Sequence, residues 1–418
     1  NLLSVELPDY VTSLPESCFS GCTRLATVDM GNRLVSCGKE CFKQSGVESI
    51  VWSPEITTLD ISCFEGCKNL VSVDVPGTIS VIPQSCFFEC TNLTDLTLAE
   101  GVTTIGVNAF KSNNINSLVT PSTLRNINNS AFSRNKSMTT LTLNEGLELI
   151  DGSAFAFCES LKEVTLPSTL QSVVTEKDKN GMGLTITYAG LRTSAFRDCL
   201  SLEKVRVLSP FITIPDECFR NCTKLSSFVS QGDIYSVGSN AFVGCAMLSE
   251  FSFQGDGNIA FIGTSAFKGC SSLTEFPFIH HTCVYANAFQ DCTSLEQLVM
   301  PEAPHWGYNT DGFNIAGSNV IGRNFAKGCT SLQSVIFPGT SPYFFLQGGD
   351  LADAPLKALS FCNATDITLG HNKKPITLAK YNNSGASVRA EKPKLIVRRG
   401  QKWKFFEQGY NQLFDIIE

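Results

Sequence analysis

Ser62-Cys63-Phe64-Glu65-Gly66-Cys67-Lys68-Asn69-Leu70 decides how this chain folds, because the same phrase returns along most of its length. It occurs earlier as Ser17-Cys18-Phe19-Ser20-Gly21-Cys22-Thr23-Arg24-Leu25 and later as Ser265-Ala266-Phe267-Lys268-Gly269-Cys270-Ser271-Ser272-Leu273. The recurring ring is Phe19, Phe42, Phe64, Phe87, Phe110, Phe132, Phe155, Phe196, Phe219, Phe242, Phe267 and Phe289, spaced by 23, 22, 23, 23, 22, 23, 41, 23, 23, 25 and 22 residues. A thirteenth copy, Asn324-Phe325-Ala326-Lys327-Gly328-Cys329, exchanges the Ala and the Phe. Self-similarity at a short fixed period is the mark of a solenoid.

Each copy has two halves. A turn of Ser or Asn, a small residue, Phe, two polar residues and usually Cys comes first. Six residues after the Phe stands Leu25, Leu70, Leu93, Met138, Leu161, Leu202, Leu225, Leu248, Leu273 or Leu295. An apolar–variable–apolar triplet follows, such as Val73-Asp74-Val75 or Val164-Thr165-Leu166. That alternation predicts a short strand with one buried face. Pro often closes the strand, where it takes no ladder bond away. A further apolar residue, such as Ile82, Ile105, Ile127 or Ile150, precedes the next turn. One such coil cannot bury its own apolar face, so the copies must stack, and the Phe, Leu and Ile positions join into one core. The length of 418 residues is therefore no argument for several globular domains.

The repeat also absorbs most of the 18 cysteines. Cys18, Cys41, Cys63, Cys86 and Cys218 sit just before the Phe, where other copies carry Ala. Ten more, Cys22, Cys67, Cys90, Cys158, Cys199, Cys222, Cys245, Cys270, Cys292 and Cys329, occupy the position three residues after it or its equivalent. Ser45, Asn113 and Asn135 replace Cys there. Exchange with Ala marks a small buried site. Exchange with Asn and Ser marks a small site with hydrogen-bonding duty beside a tight turn. Disulfides and metal sites are the competing readings of such pairs, and thiol content separates them from a structural role.

The Ser/Asn-Ala/Cys-Phe-x-x-Cys-x-x-Leu-x-x-Val-x-Leu-Pro pattern resembles the BspA-type leucine-rich repeat, also called the Treponema pallidum type, over residues 1–338. The resemblance implies an α/β solenoid, a right-handed leucine-rich-repeat stack with one short strand per coil of about 23 residues. It further implies a bacterial or mucosal-protist cell surface and adhesion to host matrix proteins or neighbouring cells, with no shared catalytic residues. The tail, with Leu395-Ile396-Val397, Trp403, Phe406 and Leu413-Phe414-Asp415-Ile416-Ile417, is similar to terminal segments on surface proteins of gut Bacteroides. The start inside a coil, at Val5-Glu6-Leu7, reads as that of a mature or trimmed chain.

Function is sought where the repeat is free to vary or breaks. The middle residues of the strand triplets, Asp29, Asp74, Thr97, Val119, Thr142, Thr165, Arg206, Val229, Ser252 and Val299, are expected to line one sheet face. The 41-residue spacing places an insertion near 174–191, expected to project as a hairpin. A second insertion, 302–323, carries His305, Trp306, Tyr308 and Phe313 among Gly and Asn. Aromatic rings in a Gly-rich loop suit either a protein or glycan contact or packing against the solenoid. These four are the candidate ligand-binding residues. Residues 339–418 leave the repeat and are expected to cap it, with Tyr343-Phe344-Phe345 and Trp403, Phe405 and Phe406 over the exposed core. Lys392, Lys394, Arg398, Arg399, Lys402 and Lys404 make the tail locally basic.

Catalysis finds no support in the residues. The four histidines, His280, His281, His305 and His371, lack metal-ligand spacing with a carboxylate, and no nucleophile elbow, phosphate loop or dinucleotide fingerprint occurs. No cofactor is expected. A net charge of −7 argues against a chain-wide nucleic-acid footprint, and no apolar run reaches the ~20 residues of a membrane span. The expectation is a secreted or cell-surface, non-enzymatic scaffold that binds protein, with glycan binding as the alternative.

Overall fold

The computed structural model describes residues 2–170, 173–177, 184–187, 190–254, 259, 261–276, 283–299, 319–320, 324–336, 344–345, 358–361, 394–397, 403, 406 and 415–417. Two compact units, Asn1–Ile212 and Thr213–Glu418, are built from the same coil.

In the first unit each coil contributes two strands. A first row comprises Ser4–Glu6, Thr27–Asp29, Ser49–Val51, Ser72–Val75, Asp95–Leu98, Ser117–Val119, Thr140–Thr142, Glu163–Leu166 and Lys204–Val207. Its paired neighbours run parallel and in register, for example Asp74 beside Thr97 and Val119 beside Thr142. Val73 and Val75 point inward while Ser72 and Asp74 point to solvent, the period-two alternation of a half-buried strand. A second row comprises Ser13–Leu14, Ser36–Cys37, Thr58–Leu59, Val81–Ile82, Thr104–Ile105, Asn126–Ile127, Leu149–Ile150 and Gly190–Leu191. One strand per coil is therefore corrected to two. The isolated Ile positions are the buried halves of two-residue strands, too short for alternation to reveal.

The Phe turn lies between the rows, and it is not a helix. Among the described residues only Trp403 and Phe406 have helical backbone, so the α/β expectation is corrected to a β-solenoid. The reason is where the turn's N–H groups go. Ser62, Phe64 and Gly66 donate forward to the carbonyls of Gln84, Cys86 and Phe88 in the next coil, at 3.0, 2.8 and 2.7 Å. The intervening Cys63, Glu65 and Cys67 bond back three residues, to Asp60, Ser62 and Phe64. A helix would spend every N–H inside its own turn; this turn gives half of them to its neighbour and becomes a third ladder between coils. The geometry requires left-handed backbone at two places, Ser62 (φ 59°) and Gly66 (φ 70°), and every copy repeats both. Gly and Asn adopt that conformation at little cost, which accounts for their recurrence in the motif.

The ladder aligns the rings. Phe19, Phe42, Phe64, Phe87, Phe110, Phe132, Phe155 and Phe196 stack consecutively with centroids 5.0–5.4 Å apart and planes within 11°. Stacked aromatic pairs are worth about 0.5–1.5 kcal/mol each beyond the area buried. Phe155 and Phe196 are 41 residues apart yet only 5.4 Å apart in space. The insertion therefore leaves the stack uninterrupted. Its backbone forms a two-stranded antiparallel hairpin, Val173–Lys177 against Leu184–Thr187, before Gly190–Leu191 rejoins the second row beside Leu149–Ile150.

The cysteine after the Phe has a specific duty. Its Sγ donates to the carbonyl of the Phe one coil earlier: Cys67 to Phe42 at 3.1 Å, Cys90 to Phe64 at 3.2 Å, Cys158 to Phe132 at 3.5 Å and Cys199 to Phe155 at 3.3 Å. Asn113 and Asn135 make the same bond through Nδ2, to Phe87 at 3.0 Å and Phe110 at 2.8 Å. Burial pushes the Cys67 thiol up to about 11 and the Cys158 thiol up to about 12, against the ordinary value of 9.0. Thiols held protonated in this way are poor nucleophiles and poor metal ligands. Cys41, Cys63, Cys67, Cys86, Cys90, Cys158, Cys245, Cys270 and Cys292 are buried free thiols.

Two carboxylates staple neighbouring coils from outside. Glu100 accepts from the Ser122 N–H and Oγ, both at 2.9 Å, and from the Thr123 N–H at 3.2 Å. Glu145 repeats the arrangement on Ser168 and Thr169 at 2.8–3.3 Å. The backbone N–H of Ser122 or Ser168 is the main reason each carboxyl is held below the ordinary carboxylate range. A depressed carboxylate contributes stability above its unfolded value and loses it as pH falls through its folded value. Thermal melts of wild type and Glu145→Gln are accordingly expected to differ at neutral pH and to converge only as the pH falls below the ordinary carboxylate range, through the depressed folded value; a gap that persists once the carboxyl is protonated would show that the charge is not what the turn recognises.

In the second unit Phe219, Phe242, Phe267 and Phe289 stack at 5.2–5.5 Å. A second file, Phe228, Phe251 and Phe276, replaces the aliphatic strand residues and meets the first file edge to face. In the altered copy Phe325 takes the small-residue position and Ala326 the ring position, and both are fully buried. The register is unbroken: Phe289 donates to the Phe325 carbonyl at 2.7 Å, and Cys329 donates to the Phe289 carbonyl at 3.1 Å. Beyond the last copy, Ala358–Phe361, Lys394–Val397 and Asp415–Ile417 extend the sheet of Gln297–Val299 and Ser334–Ile336 by parallel pairing. The sequence repeat ends near 338 but the sheet continues. Trp403 and Phe406, expected to cover core, are exposed.

Candidate functional site

Repetition separates scaffold from display. Inward positions are occupied by the same few side chains in coil after coil, and the positions left to vary face solvent. Asp74, Thr97, Val119, Thr142, Thr165, Arg206 and Val299 are exposed, while Asp29, Val229 and Ser252 are half-buried. Parallel register sets them in files: Glu6 beside Asp29 and Val51, Asp74 beside Thr97, Thr165 beside Arg206, Val229 beside Ser252. Val51 was not foreseen on this face because a β-branched apolar residue in Ser49-Ile50-Val51 reads as core. It is half exposed, as is Val119.

Charge on the face of the first unit is graded. Its first five strands present Glu6, Asp29, Asp74 and Asp95 and no Lys or Arg. The strand after the hairpin presents Lys204 and Arg206, in register with Glu163 and Thr165. Chemically this is a hydroxyl-rich and carboxylate-bearing surface. It offers hydrogen bonds and charge.

His305, Trp306, Tyr308 and Phe313 lie outside the described residues, as do all four histidines and the basic residues 392, 398, 399, 402 and 404. Of the second insertion the structure places Asn319–Val320, which pairs in parallel with Phe344–Phe345. Among the described residues no group of three or more His, Cys, Asp or Glu side chains gathers as a metal site, and no helix is long and apolar enough to cross a membrane.

One surface feature escaped sequence reasoning. On the outer edge of the Phe turns, the Arg134 guanidinium lies 4.9 Å from the centre of the Phe157 ring. Both residues occupy the left-handed position two after the motif Phe, with φ of 67° and 63°. The available signal was that other copies place Gly21, Gly66, Gly244 and Gly269 there.

A parallel stack of two-strand coils with an inward Leu and Phe in each defines a leucine-rich-repeat solenoid. The sequence model of the BspA type leucine rich repeat region matches residues 1–90, 62–177 and 190–310, in six copies, and the chain belongs to that family. Among solved structures it is similar to a leucine-rich repeat protein from Bacteroides ovatus, at 21% identity, covering 80% of this chain and 86% of that one, with a TM-score of 0.45. A leucine rich cell surface protein from Faecalibacterium prausnitzii is similar at 19% identity over 88% and 79% of the two chains, with a TM-score of 0.36. The T. pallidum leucine rich repeat protein is similar at 18% identity over 65% and 78%, with a TM-score of 0.23. No curated protein matches the chain.

Proposed function

We propose that the chain is a non-enzymatic binding scaffold, secreted or held at the cell surface, whose partners are proteins of a host or a neighbouring cell. The observation that carries this reading is the division of labour within the coil. Among the described residues, alternate N–H groups of the Phe turn and the recurring inward side chains are committed to stacking, and chemical variety lies in the outward files. A surface of that kind suits extended macromolecular contact, the use to which solenoids put their sheet faces. Residues 1–338 are read as the binding solenoid and 339–418 as its cap.

The loop 302–323 is the second place where a partner would dock, through His305, Trp306, Tyr308 and Phe313. Its aromatic content is what favours the alternative of glycan binding, since rings in a Gly-rich loop offer flat apolar area at low entropic cost. A panel of extracellular-matrix and cell-surface proteins, run beside a glycan array, separates the two. Binding to proteins with a silent array supports the first reading; the reverse supports the second; silence on both contradicts the scaffold role. Replacing Trp306 and Tyr308 together by Ala is expected to weaken binding at least tenfold, the scale of losing an aromatic hot spot. Unchanged affinity would move the site to the sheet face or the turn edge.

A further inference from the structure

We propose that Phe88, Lys111, Arg134 and Phe157 form a docking stripe for an acidic protein segment that carries apolar side chains beside its carboxylates. The proposal rests on the scaffold reading above and names a surface for it. The four residues come from four consecutive coils, and the turn ladder sets those coils side by side. The backbone N–H of Glu89 donates to the Lys111 carbonyl at 3.0 Å, that of Ser112 to the Ser133 carbonyl at 2.9 Å, and that of Arg134 to the Ala156 carbonyl at 2.8 Å. Phe88 and Lys111 stand one residue after their motif Phe and Arg134 and Phe157 two after, on coils whose buried rings repeat every 5.2–5.4 Å, so the order from coil to coil is aromatic, cation, cation, aromatic. Arg134 is exposed and the other three are half-buried.

Three observations point to a partner rather than to the fold. First, neither Lys111 nor Arg134 forms an ion pair among the described residues, whereas nearby Lys136 pairs with Glu159 at 2.9 Å and Arg197 with Asp198 at 3.0 Å. The free charge at the centre of the stripe is therefore positive, with the Glu89 carboxylate bounding it beside Phe88. Second, Arg134 and Phe157 both stand in left-handed backbone, where Gly, Asn, Asp or Ser serves in most coils. A bulky residue is disfavoured there; Gln44 and Glu89 are the other long side chains at this position, and Arg134 and Phe157 are the pair that stands in consecutive coils and in contact. Third, their contact holds the guanidinium over a ring, leaving its N–H edge available for a bidentate carboxylate while the rings offer apolar area. Arg and aromatic residues together are the composition of interface hot spots.

Selection of a surface-displayed random peptide library on the full chain tests this. The expected outcome is enrichment of peptides with Asp or Glu next to Phe, Leu or Trp. Their affinity should fall about tenfold or more on Lys111→Ser/Arg134→Gly and on Phe157→Gly, and also in high salt. Peptides that bind both variants as they bind wild type would overturn the stripe while leaving the scaffold reading intact, and so would a selection without acidic–apolar peptides. Failure of the scaffold reading is registered separately, by the silent protein and glycan panels. Thermal melts add a readout independent of any ligand. Because Gly suits the left-handed position, Arg134→Gly and Phe157→Gly should leave Tm within about 2 °C of wild type or raise it. A larger fall in either would assign the pair to stability and overturn the proposal.

Discussion

Phe155→Ala is expected to lower the free energy of unfolding by about 3–5 kcal/mol, the range for removing a fully buried aromatic side chain. Phe155 is completely buried, with Phe132 and Phe196 each 5.4 Å from it. The loss combines burial, two stacking contacts and the cavity left behind. The cavity is not easily collapsed, because the Phe155 N–H is tied to the Ala195 carbonyl at 2.9 Å and its carbonyl receives the Cys199 thiol at 3.3 Å. The backbone is pinned on the side toward the next coil, so the neighbouring rings cannot close the gap without breaking that ladder. The altered copy is instructive: where Ala326 stands in the ring position, Phe325 fills the adjacent inward one, so the coil keeps a buried ring. Urea unfolding of the variant measures the effect, and a loss under about 1 kcal/mol would contradict the stacked-ring core.

Asn135→Ala is expected to cost about 2–5 kcal/mol, from two buried backbone groups left without their partner. Asn135 Nδ2 donates to the Phe110 and Phe132 carbonyls, both at 2.8 Å, and its Oδ1 accepts from the Ile115 N–H at 3.2 Å; it is fully buried, and of the three partners only the Phe132 carbonyl keeps another bond among the described residues, from the Asn135 backbone N–H at 3.3 Å. The Ile115 bond exists because the coil from Phe110 to Phe132 is one residue short. In longer coils the equivalent N–H bonds back three residues, as Leu93 does to Cys90 at 2.9 Å and Met138 to Asn135 at 3.1 Å. The shortened turn leaves the Ile115 N–H unserved, and the amide one coil on supplies the acceptor. The consensus substitution therefore discriminates. Asn135→Cys restores a donor to Phe110 but not an acceptor to Ile115, and should cost about 1–3 kcal/mol. A Cys variant as stable as wild type would show that the amide is interchangeable with a thiol.

Much of this was legible in the sequence, because stacking makes each inward position recur at the coil period. The Leu, Ile and small-residue positions and the outward row could all be read from alternation and spacing. What could not be read was how the Phe turn spends its N–H groups. Ser62 and Gly66 look like ordinary turn residues, and nothing in a single copy says that their N–H groups reach Gln84 and Phe88 rather than closing a helix. The second row escaped for a related reason, since a two-residue strand such as Val81–Ile82 has no periodicity. The second aromatic file was hidden by the first: Phe228, Phe251 and Phe276 repeat at the coil spacing but lie in the strand half, where Val or Leu serves elsewhere. Candidate display residues were harder still. Variation marks a position as free of stacking duty, but it does not say which variable residues were kept for contact. Arg134 and Phe157 stand out only once their backbone conformation is known.

Residue-resolved native-state hydrogen exchange of the intact chain tests the turn ladder most directly. The amides of Phe64, Gly66, Phe87 and Glu89, which donate across to the next coil at 2.7–3.0 Å, are expected to be as protected as those of the strands Ser72–Val75 and Asp95–Leu98. Exchange of these amides at the rate of an open surface loop, with the strands protected, would contradict the account.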